Sequence, residues 1–150
     1  MGRKDDVPKK PKILFVCTAN AARSQMAEGL LRAQYGESFE VFSAGTRLSR
    51  ISPYAIRVMH EIGIDISHQY SKTLQQIEDE EFDVAVTLCD RAHDTCPVIH
   101  CAKKQIHRGF SDPHFSQGND ADILDGYRRI RDEISTWIGE NFSPEKRSFR

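Results

Sequence analysis

Residues 13–24 read ILFVCTANAARS. Four apolar residues, Ile13 to Val16, stop at Cys17; five small or polar residues follow, then Arg23 and Ser24. A short continuous apolar run suits a strand buried on both faces. From Ser24 to Tyr35 the apolar residues Met26, Leu30 and Ala33 recur at helical spacing, with Leu31 beside them, and Gly36 supplies a stop. The loop Thr18-Ala19-Asn20-Ala21-Ala22-Arg23 therefore wraps over a helix N-terminus. Successive backbone N–H groups there can turn inward and form an anion-binding nest. Small side chains at Ala19, Ala21 and Ala22 let the backbone approach an anion closely. Arg23 adds a planar, permanently charged fork that matches a tetrahedral oxyanion. The same positive field favours the thiolate of Cys17, and Ser24 can donate a hydrogen bond to it. The arginine is thus placed to hold the oxyanion that the cysteine attacks. The Gly-x4-Gly-Lys-Ser/Thr pattern of a nucleotide-binding loop is missing.

The same alternation continues along the chain. Phe39 to Ala44 reads as a second strand ending at Gly45, and Ser52-Pro53 as a helix start, an N-cap followed by proline at N1. Ile56, Met59 and Ile62 are expected on one face of that helix. Phe82 to Leu88 reads as a third strand, and Gln105 to Phe110 as a weaker fourth. Ile123, Tyr127, Ile130, Ile134, Trp137 and Ile138 form the stripe of a long last helix. Strands alternating with helices predict an α/β fold with a parallel sheet covered on both faces. Ligands bind such sheets beyond the carboxyl ends of the strands. Cys17 follows the first strand, Cys89 the third and Asp112 comes just after the fourth, so the chemistry converges on one sheet edge.

The 150 residues are enough for one domain with a real core. It is expected to run from 12 to 142, between a basic tail at 1–11 and a second tail at 143–150. Lysine plus arginine total 21 and aspartate plus glutamate 22, a balance that offers no argument for nucleic-acid or membrane partners. No apolar stretch is long enough to span a bilayer. The charged N-terminus is not a secretory signal, and Asp6 stands where myristoylation needs Ser or Thr. A cytoplasmic monomer is expected. Its four cysteines, Cys17, Cys89, Cys96 and Cys101, should then be thiols that serve catalysis, redox chemistry or metal binding rather than structural disulfides. Cys89, His93, Cys96, His100 and Cys101 carry zinc-type ligands, but not at the spacing of two separated knuckles.

The segment VCTANAARSQMAEGLLR, residues 16–32, resembles the signature of the low-molecular-weight protein tyrosine phosphatases and of the thioredoxin-coupled arsenate reductases that share their fold. The resemblance runs from about Lys12 to Asn141 and includes FSAG at 42–45, IGIDIS at 62–67, VTLCD at 86–90 and the Asp112-Pro113 pair. It implies a four-stranded parallel sheet flanked by helices, with Asp112 as the general acid that protonates a departing oxygen. Taken alone, Ser111-Asp112-Pro113 is a common turn.

Both activities use Cys17, Arg23, Ser24 and Asp112, with arsenate taking the place of phosphate in the same pocket. They part at the other cysteines. The resemblance implies that the reductases carry a pair like Cys89 and Cys96, seven residues apart. It further implies a relay. Cys17 attacks arsenate, Cys89 releases arsenite and leaves a Cys17–Cys89 disulfide, Cys96 converts this to Cys89–Cys96, and thioredoxin reduces that bond. Glutaredoxin is another candidate donor, and no bound cofactor is expected. If 89–96 is helical, its seven residues span about 10 Å, whereas a disulfide needs Cα atoms within about 7 Å. Closing the bond should then unwind the segment.

Three departures from the family pattern stand out. Ala22 replaces a cysteine that lies outside the relay. Asn20, Glu28 and Ser43 match positions that hold potassium in some members, but Lys72 stands where an acidic ligand is wanted. His114 and Phe115, after Asp112-Pro113, partly match the aromatics that line a phosphotyrosine pocket, which keeps the phosphatase alternative open.

Overall fold

The computed structural model describes residues 9–90, 97–113 and 117–144. Four strands, β1 (Lys12–Cys17), β2 (Glu40–Gly45), β3 (Phe82–Thr87) and β4 (Ala102–His107), alternate with α1 (Arg23–Tyr35), α2 (Pro53–His60) and α3 (Asp120–Phe142). The sheet is parallel, in the order β2-β1-β3-β4. The first-read strand is its centre. Ile13 and Phe15 face a core shared with α1, α2 and α3, while Leu14 and Val16 face a second core. All four side chains are fully buried, each worth roughly 1.5–3 kcal/mol. That two-sided burial explains the unbroken apolar run. Among the described residues the second core is completed by Phe82, Ala85 and Ile99, with Leu74 and Ile77 of a 3-10 turn packed against it.

Some boundaries differ from expectation. The fourth strand spans 102–107 rather than 105–110. It is an edge strand whose Lys103, Lys104 and Gln105 are exposed, so no apolar alternation marked its start. On α2 the buried residues are Ala55, Val58 and Met59; Ile56 is half-buried, and Ile62 lies past the helix end, 44% exposed. Gly36 caps α1 with an ordinary right-handed φ of −63°. Its backbone N–H donates to Arg32 O, so no left-handed turn is involved. Residues 10 and 11, assigned to the tail, are tied to the domain: Glu40 N donates to Pro11 O and Lys10 Nζ to Gly36 O. Most of the 89–96 segment, His114 and Phe115 lie outside the described residues. Among the described residues, no helix is long and apolar enough to cross a membrane.

Helices α2 and α3 are joined by ion pairs at Glu61, the residue capping α2. Arg128 Nε and Nη2 reach its two carboxylate oxygens at 2.9 and 2.7 Å, and Arg131 Nη1 lies at 3.0 Å. Arg128 first, then Arg131, hold the Glu61 carboxyl at about 2, below its ordinary 4.5. Because the folded value is depressed, this stabilisation is present above the unfolded value and is lost as pH falls from about 4.5 towards 2. Solvent reaches the pair, which tempers its worth. Glu61→Gln is expected to lower the melting midpoint at pH 7 by about 2–4 °C. The difference from the parent should shrink through that acid window in scanning calorimetry.

Candidate active site

Cys17 ends β1, and Arg23 opens α1 as its first residue. The helix N-cap, Ala22, offers no side-chain cap, as suits a helix start that receives an anion. Cys17 Sγ and Ser24 Oγ are 2.8 Å apart. Ser24 is held in turn by Asn20, which is fully buried at a left-handed φ of 51°. Its Oδ1 accepts from Lys72 N at 2.8 Å and from Gln25 Nε2 at 3.1 Å. Its amide nitrogen must then face the other way, and it donates to Ser24 Oγ at 2.7 Å and to Ser43 Oγ at 3.0 Å. Ser24 Oγ accepts from this obligate donor, and its own hydrogen is available to the sulphur of Cys17.

Arg23 is only 3% exposed. Its Nη1 donates to Phe110 O at 3.2 Å and its Nη2 lies 3.4 Å from Asp112 Oδ2. Nucleophile, guanidinium and carboxylate all line one cleft of about 330 Å3. Ala19, Ala21 and Ala22 line it too, as the anion-loop reading requires.

The cleft also holds residues that the sequence did not single out for it: Arg47, Arg50, Ile51, Tyr54 and Tyr127. Gly45, read only as a strand end, is a loop support. A Cβ there would lie 2.7 Å from both Asn20 N and Thr18 O, so only glycine lets β2 meet the loop. Thr18 O accepts from the backbone N–H groups of Thr46 and Arg47, Ala19 O from Ser71 Oγ, and Ala21 O from Ser52 N. With these carbonyls drawn outward, the loop's N–H groups are left to point inward.

The cation positions come together but are already satisfied. Ser43 Oγ donates to Glu28 Oε1 at 2.6 Å, Arg32 Nη1 reaches Glu28 Oε2 at 2.9 Å, and Lys72 Nζ lies 4.0 Å from Glu28 Oε1. Burial lowers the pKa of Lys72, with Glu28 opposing that shift. The oxygens a potassium ion would need are committed to protein donors, and an ammonium stands beside them. Asn20, Glu28 and Ser43 therefore do not fit potassium here. Among the described residues, no cluster of three or more His, Cys, Asp or Glu is arranged to hold a metal.

Cys89 lies just past β3. Val16 is level with Thr87, so Cys89 sits one residue beyond the position opposite Cys17. It is 1% exposed, is disulfide-bonded and does not line the cleft, whereas Cys17 and Cys101 are free thiols. Cys96 lies outside the described residues. Burial raises the pKa of the Cys101 thiol. His107 bonds Thr87 Oγ1 through Nδ1 at 2.9 Å.

Asn20→Ala removes a side chain that fixes both Ser24 and Ser43, and leaves alanine at a positive φ. It is expected to lower kcat/KM about 10–100-fold and to cost about 1–3 kcal/mol of stability. Asn20→Gly should recover part of the stability and none of the activity. Parallel kinetics and denaturant melts separate the two effects.

A cysteine and an arginine flanking an anion loop, at the carboxyl edge of a four-stranded parallel sheet, define a phosphatase-type oxyanion site. The chain belongs to the low molecular weight phosphotyrosine protein phosphatase family, whose model matches residues 12–141. It is 44% identical over 129 residues to an arsenate reductase of Halalkalibacterium halodurans, covering 86% of this chain and 93% of that protein. A solved arsenate reductase in a phosphate-binding state superposes with a TM-score of 0.72 at 32% identity, covering 85% of this chain and 93% of that one. A thioredoxin-dependent arsenate reductase of Corynebacterium glutamicum superposes at 0.60 with 28% identity, covering 87% of this chain and 61% of that one.

Proposed function

We propose that this protein reduces arsenate to arsenite through a cysteine relay regenerated by thioredoxin. The observation that carries the reading is the placement of Cys17 and Cys89 just at and just past the ends of neighbouring parallel strands. One is in the anion cleft and the other is disulfide-bonded.

The anion loop of Thr18 to Ala22, with Arg23, holds the arsenate oxygens. Ser24, 2.8 Å from the Cys17 sulphur, can donate to it as the sulphur attacks arsenic. A hydroxyl leaves as water on protonation by Asp112 in its acid form; Asp112 Oδ2 lies 3.4 Å from Arg23 Nη2. The Cys89 thiolate then attacks Cys17 Sγ. The sulphur–arsenic bond breaks with its electron pair staying on arsenic, so arsenic(V) leaves as arsenite. Cys96 attacks Cys89 and frees Cys17 as a thiolate, and thioredoxin supplies two electrons to the remaining disulfide. The Corynebacterium glutamicum relative, a thioredoxin-dependent arsenate reductase, supports that choice of donor.

The phosphatase reading is favoured by one feature: Tyr54 and Tyr127, rings 5.4 Å apart, form a wall that arsenate does not need. Hydrolysis of aryl phosphates is expected as a slow side activity of the same cysteine. The test is arsenate-dependent NADPH oxidation with thioredoxin and thioredoxin reductase. Turnover is expected, at equal rates in potassium and in sodium buffer. Hydrolysis of an aryl phosphate with no arsenate turnover would make this a phosphatase.

A further inference from the structure

The cleft is larger than its smallest substrate requires. A tetrahedral oxyanion fills the space of two or three waters, roughly 60–90 Å3 at ~30 Å3 each, against about 330 Å3 available. Clefts of roughly 300–1,000 Å3 hold small organic ligands. Burial orders this one. Cys17, Arg23 and Tyr127 are its buried base, while Arg47, Ser49 and Arg50 are its exposed mouth. Between them stand the half-buried Ile51 and Tyr54.

Charge is distributed unevenly over the same surface. Among the described residues Asp112 is the one lining carboxylate, and it is paired with Arg23. Among the described residues, Arg47 and Arg50 have no ion pair or side-chain hydrogen bond, so two uncompensated cations stand at the mouth. Their backbone is nonetheless held. Arg47 N donates to Thr18 O, Ser49 N to Ser71 Oγ and Ser52 N to Ala21 O, which ties the rim to the anion loop. A rim cation placed by a fixed backbone loses less freedom on binding than one on a loose loop.

We propose that Arg47 and Arg50 form a second anion subsite. It selects aryl phosphate monoesters that carry a carboxylate on the far side of the ring. The phosphate sits in the anion loop, the ring lies along Tyr54 and Tyr127, and the carboxylate meets the two arginines. Arsenate occupies the base alone and does not reach them. The subsite rests on the anion-binding loop of the proposed function, but not on the thiol relay.

Binding is measured by calorimetry on the Cys17→Ser protein, which holds these esters without cleaving them. The probes are 4-carboxyphenyl phosphate, its neutral 4-carbamoyl counterpart and inorganic phosphate. The carboxylate should bind on the order of tenfold more tightly than the carbamoyl ester, and the ratio should shrink as salt is raised. In the same protein carrying Arg47→Gln and Arg50→Gln, the ratio should fall to about one while inorganic phosphate binding changes less than about threefold. Equal binding of the two esters before the arginines are removed would overturn the subsite. So would a preference that survives their removal, or a uniform loss for all three probes, which would mean long-range attraction only. Failure of arsenate turnover would leave this measurement untouched, so the two readings can fail separately.

Discussion

Cys17→Ser is expected to abolish arsenate reduction, with turnover falling by about 10⁴-fold or more. The sulphur is needed twice. It is the nucleophile, and Ser24, 2.8 Å away, can stabilise its ionised form; a serine hydroxyl is not ionised near neutral pH. It is also one half of the first disulfide, and oxygen cannot take that place. Neither loss is repaired by raising the pH or the substrate concentration. The anion site should survive, because Arg23 stays anchored by Phe110 O and the loop by Gly45 and Asn20. Phosphate affinity measured by calorimetry should therefore change only a few-fold while steady-state reduction vanishes. Residual turnover above about one per cent of the parent would contradict nucleophilic catalysis by Cys17.

Cys89→Ser and Cys96→Ser should also stop steady-state turnover, but at different points. With Cys89 replaced, nothing attacks the Cys17–arsenic adduct, and no arsenite is released in a single turnover. With Cys96 replaced, Cys89 still completes its attack, one equivalent of arsenite leaves, and the chain halts as a Cys17–Cys89 disulfide. A burst of one equivalent in Cys96→Ser and none in Cys89→Ser is the expected pattern under stoichiometric arsenate. In its disulfide-bonded state Cys89 is buried and outside the cleft. Return of Cys89 from that state to Cys17 is a step that adduct formation does not need, so release should be slower than adduct formation in rapid-quench experiments. Full turnover by both variants would show that the cysteine pair is incidental.

How far the sequence disclosed this site depended on where each residue's partners lie. The Cys17-to-Ser24 segment was legible because its whole chemistry is local: a strand, a loop and a helix start within a dozen residues. The central strand was legible because burial on both faces leaves an unbroken apolar run. The edge strand was misplaced by three residues because its pattern is set by solvent and by one neighbour, and lysines satisfy both. Long-range support was invisible. Nothing next to Gln25 or Gln69 in the sequence signals a supporting role. Yet Gln25 Nε2 bonds Asn20 O at 2.9 Å, and Gln69 Nε2 bonds Gln25 Oε1 at 2.8 Å, both within buried contacts. Nothing local ties Arg47, Arg50 and Tyr54 to a loop about thirty residues earlier. Tyr127 was assigned to a core stripe. It is buried as expected, but its hydroxyl accepts from Ser52 Oγ at 3.1 Å and it also forms the cleft floor.

The most direct measurement is disulfide mapping after one turnover. The fully reduced protein is mixed with one equivalent of arsenate without thioredoxin, alkylated, digested and read by mass spectrometry. The expected result is a peptide bridging Cys89 to Cys96, with Cys17 and Cys101 alkylated and one equivalent of arsenite in solution. No bridged peptide with arsenic still pentavalent, or a bridge through Cys101, would contradict the relay.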